Sequence, residues 1–189
     1  MVGLVISLAV IVALIVYITG IYNGLVSLRE NIKVSWANID VLLKQRHDEL
    51  PKLVETCKRY MQFEQDTLEK VILARNSAVA ARGVADTADK ENQLTATLSR
   101  LFALAENYPN LKANETVKSL MEELTSTENK IGFARQFYND IATRFNTTQE
   151  IFPDSFIAKT FNFQRVELFE IATPAEREVP QVDLNIRPK

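Results

Sequence analysis

The apolar positions fall into distinct regimes along the chain. The first is continuous. Val2 to Tyr22 is 21 residues of almost wholly apolar character, and no charged side chain occurs before Arg29. A helix rises 1.5 Å per residue, so this run reaches roughly 30 Å, the hydrocarbon thickness of a bilayer. A cleaved signal peptide would need a basic leader and a small-residue cleavage site. No Lys or Arg precedes the run, Ile21-Tyr22-Asn23 follows in place of Ala-x-Ala, and the only cysteine, Cys57, is no lipobox residue. The pattern therefore predicts an uncleaved transmembrane anchor over residues 1–23.

Beyond the anchor the spacing changes to threes and fours, the mark of one apolar stripe on a helix. Leu25, Leu28, Ile32, Ile39 and Leu42 begin it; Leu50, Leu53, Cys57, Tyr60, Met61, Leu68, Val71 and Ile72 continue it. This predicts one long helix from Tyr22 to about Arg82. Pro51 should kink it, because proline removes one helical hydrogen bond and crowds the preceding turn. The stretch Gly83–Asp89, GVADTAD, predicts a break whose acidic residues cap the next helix, over about Lys90–Asn107. Tyr108-Pro109-Asn110 reads as a turn. A third helix is predicted over about Ala113–Ile151, with Val117, Leu120, Leu124, Ile131, Tyr138, Ile141 and Phe145 in a heptad rhythm that favours near-parallel packing. Phe152-Pro153-Asp154 ends it, and Ser155–Thr160 forms one turn. Gln164–Ile171 reads as extended, and Thr173–Lys189 as a proline-bearing tail. The expected fold class is all-α: a single transmembrane helix running into an antiparallel bundle of three long helices, with a short C-terminal helix. The expected divisions are an anchor (1–23), a bundle (24–163) and a tail (164–189).

Charge narrows the partners. The formal net charge is -2 and no block of like charge occurs, which argues against nucleic acid. Arg29 and Lys33 follow the apolar run and nothing basic precedes it. The positive-inside rule then places the short N-terminus outside and the C-terminal domain in the cytoplasm. One cysteine excludes an internal disulfide.

Several runs together resemble the LemA family of bacterial and archaeal membrane-anchored helical proteins. They are Tyr22-Asn23-Gly24-Leu25-Val26; Trp36-Ala37-Asn38-Ile39-Asp40-Val41 leading to Leu43-Lys44-Gln45-Arg46 and Leu50-Pro51-Lys52-Leu53; Ala105 to Asn114; Leu124 to Ile131 with Ala134-Arg135 and Tyr138-Asn139; and Phe152-Pro153 with Ile157-Ala158. The resemblance covers most of the chain, from the anchor to about Phe169. It implies an N-terminal membrane helix with a helical bundle on one face of the membrane. It also implies an association with membrane-protein quality control or stress, and relatives in magnetosome-type systems. It carries over no enzymatic activity.

The inventory of reactive groups agrees. His47 is the only histidine, and Lys44 stands where a di-metal bundle's Glu-x-x-His pair would need Glu. Glu122, Glu123 and Glu128 lack imidazole partners. Cys57 lies on the apolar stripe, ten residues from His47, about 15 Å along one helix. No glycine-rich phosphate loop occurs. No catalytic, cofactor-binding or metal-ligating residue is assigned, and no cofactor. The partners expected are the lipid bilayer, a second copy of the chain and other membrane proteins.

Two polar features remain. Glu128, Arg135, Asn139 and Asn146 recur on one side of the third helix, with Asn38, Asp40, Arg46, Glu49, Glu64 and Arg75 of the first as possible partners. A solvated face is the plain reading; for Glu128, Arg135 and Asn139 a semi-buried network fixing helix register is preferred. Trp36 lies too far beyond Tyr22 for the interfacial aromatic belt, which Tyr17 and Tyr22 suit better. It is expected to pack on the C-terminal part of the third helix or on the Phe152–Phe163 segment, with an exposed partner anchor as the alternative. Gly20 and Gly24 form a GxxxG pattern through which the anchor could self-associate.

Overall fold

A computed structural model describes residues 1–169 as six helices: α1 (Val2–Lys58), α2 (Gln65–Ala80), α3 (Gly83–Ala105), α4 (Pro109–Lys112), α5 (Glu115–Thr148) and α6 (Asp154–Thr160). No strand occurs among the described residues. The expected tail, Thr173–Lys189, lies outside them.

α1 runs without interruption from the apolar segment into the bundle over 57 residues, about 85 Å at helical rise. It passes through Pro51. Proline cannot donate to the carbonyl four residues earlier, which here belongs to His47. Arg75 supplies the missing donor: its Nε–H donates to the His47 carbonyl oxygen at 2.9 Å.

The single long helix expected to reach Arg82 is instead two. The chain turns between Lys58 and Gln65, in a stretch with neither glycine nor proline. Tertiary contacts make this turn. Met61 is fully buried, the Tyr108 hydroxyl donates to Glu64 Oε1 at 3.0 Å, and Asn114 Nδ2 donates to the Tyr60 hydroxyl at 2.9 Å. The break expected at Gly83–Asp89 is also displaced. Within that stretch only Gly83 takes a positive φ, 77°, a conformation glycine adopts at little steric cost, and α3 begins there. Asp86 accepts the Arg82 backbone N–H at 2.9 Å, so the acid does cap, about two turns earlier than expected. α5 starts on Asn114, whose side chain accepts the Val117 N–H, as a helix N-cap does.

α1 and α5 pack antiparallel, while α2 folds back against both α1 and α3. Two apolar clusters result. A distal one joins Leu50, Leu53, Cys57, Leu68, Val71, Leu94, Leu101, Val117 and Leu124. A second, nearer the apolar run, joins Leu25, Ile32, Ile39, Leu43, Ile131, Tyr138, Phe145, Ala158 and Phe169.

After α6 the chain lies in irregular form along α5. Asn146 and Val166 exchange two hydrogen bonds, each 2.9 Å: amide Nδ2–H to the Val166 carbonyl, and Val166 N–H to Oδ1. Asn139 repeats the arrangement with Phe169, at 3.0 and 2.7 Å. The Tyr138 hydroxyl donates to the Glu167 carbonyl at 2.8 Å. The two asparagine amides, seven residues apart, thus stand in for backbone partners. Replacing both with alanine should cost about 1–3 kcal/mol and release residues 164–169. Faster amide exchange at Val166 and Phe169, with the helices unaffected, is the expected reading.

Candidate functional site: a buried polar centre

Between the two apolar clusters the helices place polar groups on their inner faces. On α1 these are Arg46, His47 and Glu49, between Leu43 and Leu50. On α3 it is Glu91, between Ala88 and Leu94. On α5 they are Thr127 and Glu128, between Leu124 and Ile131. Arg46 is 1% exposed and Glu91 0%.

Arg46 is the hub. Its guanidinium pairs with the carboxylates of both Glu91 and Glu128 and donates to Thr95 Oγ1 at 3.0 Å. Thr95 in turn donates to Glu128 Oε1 at 3.1 Å. His47 Nε2 lies 2.7 Å from the other Glu91 oxygen. One cation therefore ties α1 to α3 and α5 together. A guanidinium suits this role, since its planar fork satisfies several acceptors at once.

Burial by itself would raise the Glu91 carboxyl. The His47 hydrogen bond and the Arg46 charge outweigh it and hold the group below the usual range. A depressed carboxylate pKa stabilises the fold above the unfolded value and loses that contribution as pH falls through the folded one. Acid should therefore loosen the bundle below about pH 4.5, the ordinary glutamate value. Glu91→Gln should flatten this acid limb while lowering stability at neutral pH, as read from melting temperature against pH.

The sequence-proposed network is only partly realised. Glu128 does join a buried network, through Arg46. Among the described residues Arg135 meets no carboxylate: its Nη1 donates to Asn92 Oδ1 at 3.3 Å, its guanidinium carbon lies 4.4 Å from the centre of the Phe169 ring, and its Nε and Nη2 find no partner among those residues. Burial and the nearby Arg46 charge lower its pKa. Arg135→Ala should consequently cost only about 1 kcal/mol, the worth of a cation–π contact, in a denaturant titration. Asn139 and Asn146 bond the 164–169 segment and not α1. Glu64 and Arg75 serve the turn and the proline, and Asn38 and Asp40 are exposed.

Trp36 is half-buried. Its ring centre lies 5.5 Å from Tyr138 and 6.1 Å from Phe169. It packs on α5, as one expectation had it, and on Phe169. Cys57 is buried in the distal cluster, and desolvation pushes its thiol up to about 11, which disfavours the nucleophilic thiolate. His47 and Cys57 belong to different clusters. Among the described residues no group of three His, Cys, Asp or Glu side chains is placed to hold a metal ion.

Sequence reasoning missed Glu91 and His47 as members of the centre. The signal was present: Glu91 falls on the stripe Ala88-Leu94-Leu98-Leu101, where a carboxylate must find a partner when buried. Arg46, seven residues from both Ile39 and Leu53, lies on the α1 seam in the same way.

These features define an all-α protein in which one N-terminal helix is long and apolar enough to cross a membrane and the buried ionic cluster ties helices together. The family profile of LemA matches residues 35–184, and the chain belongs to the LemA family. It is similar to the magnetosome protein MamQ of Magnetospirillum gryphiswaldense, at 23% identity over 88% of this chain and 71% of that one. The magnetosome protein MamQ 1 of Paramagnetospirillum magneticum matches equally, at 23% over the same shares. Protein LemA of Metamycoplasma hominis is 27% identical over 86% of this chain and 73% of its own length.

Proposed function

We propose that the protein is a membrane-anchored, non-enzymatic scaffold or adaptor serving membrane-protein quality control or envelope stress. Residues 1–23 fix it in the inner membrane, and residues 24–163 form the contact-making bundle, with 164–169 packed along α5. The short N-terminus lies outside and the bundle is cytoplasmic, supported by Arg29 and Lys33 on the bundle side of the apolar run. Family membership and the relatives suggest a membrane-associated, non-catalytic protein. The observation that carries the reading is the Arg46–Glu91–Glu128 centre. Arg46 and Glu91 are buried and spend their charges on each other and on Glu128, tying helices together.

A second reading is a homo-oligomer that organises membrane. It is favoured by open space beside Gly20 and Gly24, the surface through which GxxxG helices approach, and by exposed Phe133 and Phe137 on α5. Chemical cross-linking in native membranes separates the two. A defined heterologous product supports the adaptor, and a ladder of multiples of the chain mass supports the oligomer. Native membranes giving neither product would leave no scaffold reading standing.

A further inference from the structure

The end of the bundle nearest the apolar run carries aromatic side chains that the described chain leaves largely exposed. Phe152 is 84% exposed, Phe156 68%, Phe161 53% and Ile151 54%. α6 turns Ile157 and Ala158 inward and leaves Phe156 outside, with Phe152 four residues before it.

Their level relative to the apolar run is fixed by contacts. The Tyr22 ring centre lies 4.8 Å from Phe161 and 5.8 Å from Phe163. A groove of about 790 Å³ is lined jointly by Val16, Tyr17 and Gly20 of α1 and by Thr148 and Asp154 at the α5–α6 junction. The start of α6 therefore stands beside the last turns of the apolar helix. Arg29, Lys33, Arg144 and Lys159 are exposed at the same end, and Arg29 lies over the Phe163 ring at 5.5 Å. Glu30 pairs with Arg29 and Lys33, and Glu150 with Arg165.

We infer that the α5–α6 junction and α6 form a second membrane contact, in which Phe152, Phe156 and Phe161 seat in the headgroup–acyl boundary of the bilayer that α1 crosses. The inference rests on Val2–Tyr22 being a membrane span. Aromatic rings favour this zone, and basic side chains beside them meet lipid phosphates. The occupant is lipid because the patch continues the lipid-facing apolar surface of α1, exposed from Val2 to Ile18. The tether also holds it against that bilayer at high effective concentration. Two points of attachment fix the tilt of the rod, which a single helix crossing alone leaves free.

The test uses the full chain with Trp36→Phe, reconstituted in phosphatidylcholine–phosphatidylglycerol vesicles with acyl chains brominated at shallow or deep positions. One tryptophan is placed by Phe156→Trp, Leu14→Trp or Phe63→Trp. The inference predicts that Phe156→Trp emission is roughly halved by shallow bromine and less affected by deep bromine. Leu14→Trp should be quenched most by deep bromine. Phe63→Trp, 94% exposed at the distal end, should be unaffected. Unquenched Phe156→Trp with quenched Leu14→Trp overturns the second contact and leaves the span intact; unquenched Leu14→Trp sinks the span and this inference together. A nitroxide on Phe156→Cys, with Trp36 in place, gives the same depth by oxygen accessibility, and low oxygen accessibility with high nickel-chelate accessibility overturns it equally.

Discussion

Arg46→Ala is expected to remove about 3–5 kcal/mol of stability, the cost of leaving a buried ion-pair partner uncompensated. That is a large part of the 5–15 kcal/mol that holds a typical domain together. Glu91 bears the consequence. It has no solvent exposure, and after the substitution only His47 would face its charge. Glu128 keeps 34% of its side-chain surface in water and can rehydrate. The effect should therefore be shared unequally: Glu91→Ala, which leaves Arg46 paired with Glu128 alone, should be severe, and Glu128→Ala milder. Denaturant midpoints of the three variants check the order. A midpoint for Arg46→Ala equal to that of the unaltered chain would mean the cluster is not formed.

Removing Met1–Gly20 should transfer the protein from the membrane pellet to the supernatant with its helical signal retained beyond the deleted residues. Large apolar side chains from Val2 to Ile18 are exposed, so the bundle gives up little packing with them. Ile21 and Tyr22 are half-buried and Leu25 fully so. Cutting further, after Asn23, should cost about 1–3 kcal/mol more, since two aromatic contacts of Tyr22 go with it. The shorter truncation should keep a weak, reversible affinity for anionic vesicles through Phe152 and Phe156, in contrast with the firm hold of a spanning helix. Sedimentation with vesicles reads both outcomes. A shorter truncation that remains in the pellet after carbonate washing would show that the apolar run is not the anchor.

The helices were legible because their stripes are regular. Val117 to Phe145 keeps one phase for the length of α5, and Leu94-Leu98-Leu101 does the same for α3. The turn at Tyr60–Glu64 was not legible. Its residues are ordinary helix formers, and it is made by Tyr108 and Asn114, which arrive from fifty or so residues later. GVADTAD misled in the opposite direction. Asp and Gly favour caps and breaks, but only Gly83 leaves the helical region, and Val84 onward has no feature that stops a helix.

The polar centre was half legible. Glu128 and Arg46 were candidates because each lies on or beside a seam. Which carboxylate Arg46 meets depends on how far α3 slides along α1, and stripe phase does not set that. Asn139 and Asn146 had the right heptad spacing for a partner helix. They serve an irregular segment instead, because an amide side chain pairs with any backbone that presents a carbonyl and an N–H together.

The central claim is that the ionic centre holds helices in place and performs no chemistry of its own. It is tested most directly by replacing that centre with apolar side chains of similar volume, Arg46→Met with Glu91→Leu and Glu128→Leu, and reading the cross-linked products in native membranes. Buried ion clusters can be exchanged in this way without loss of fold. A cooperatively melting variant that yields the same cross-linked products as the unaltered chain is the expected result. A variant that melts as cooperatively but loses those products would contradict the claim, because shape would survive and the polar groups would prove to be the working part.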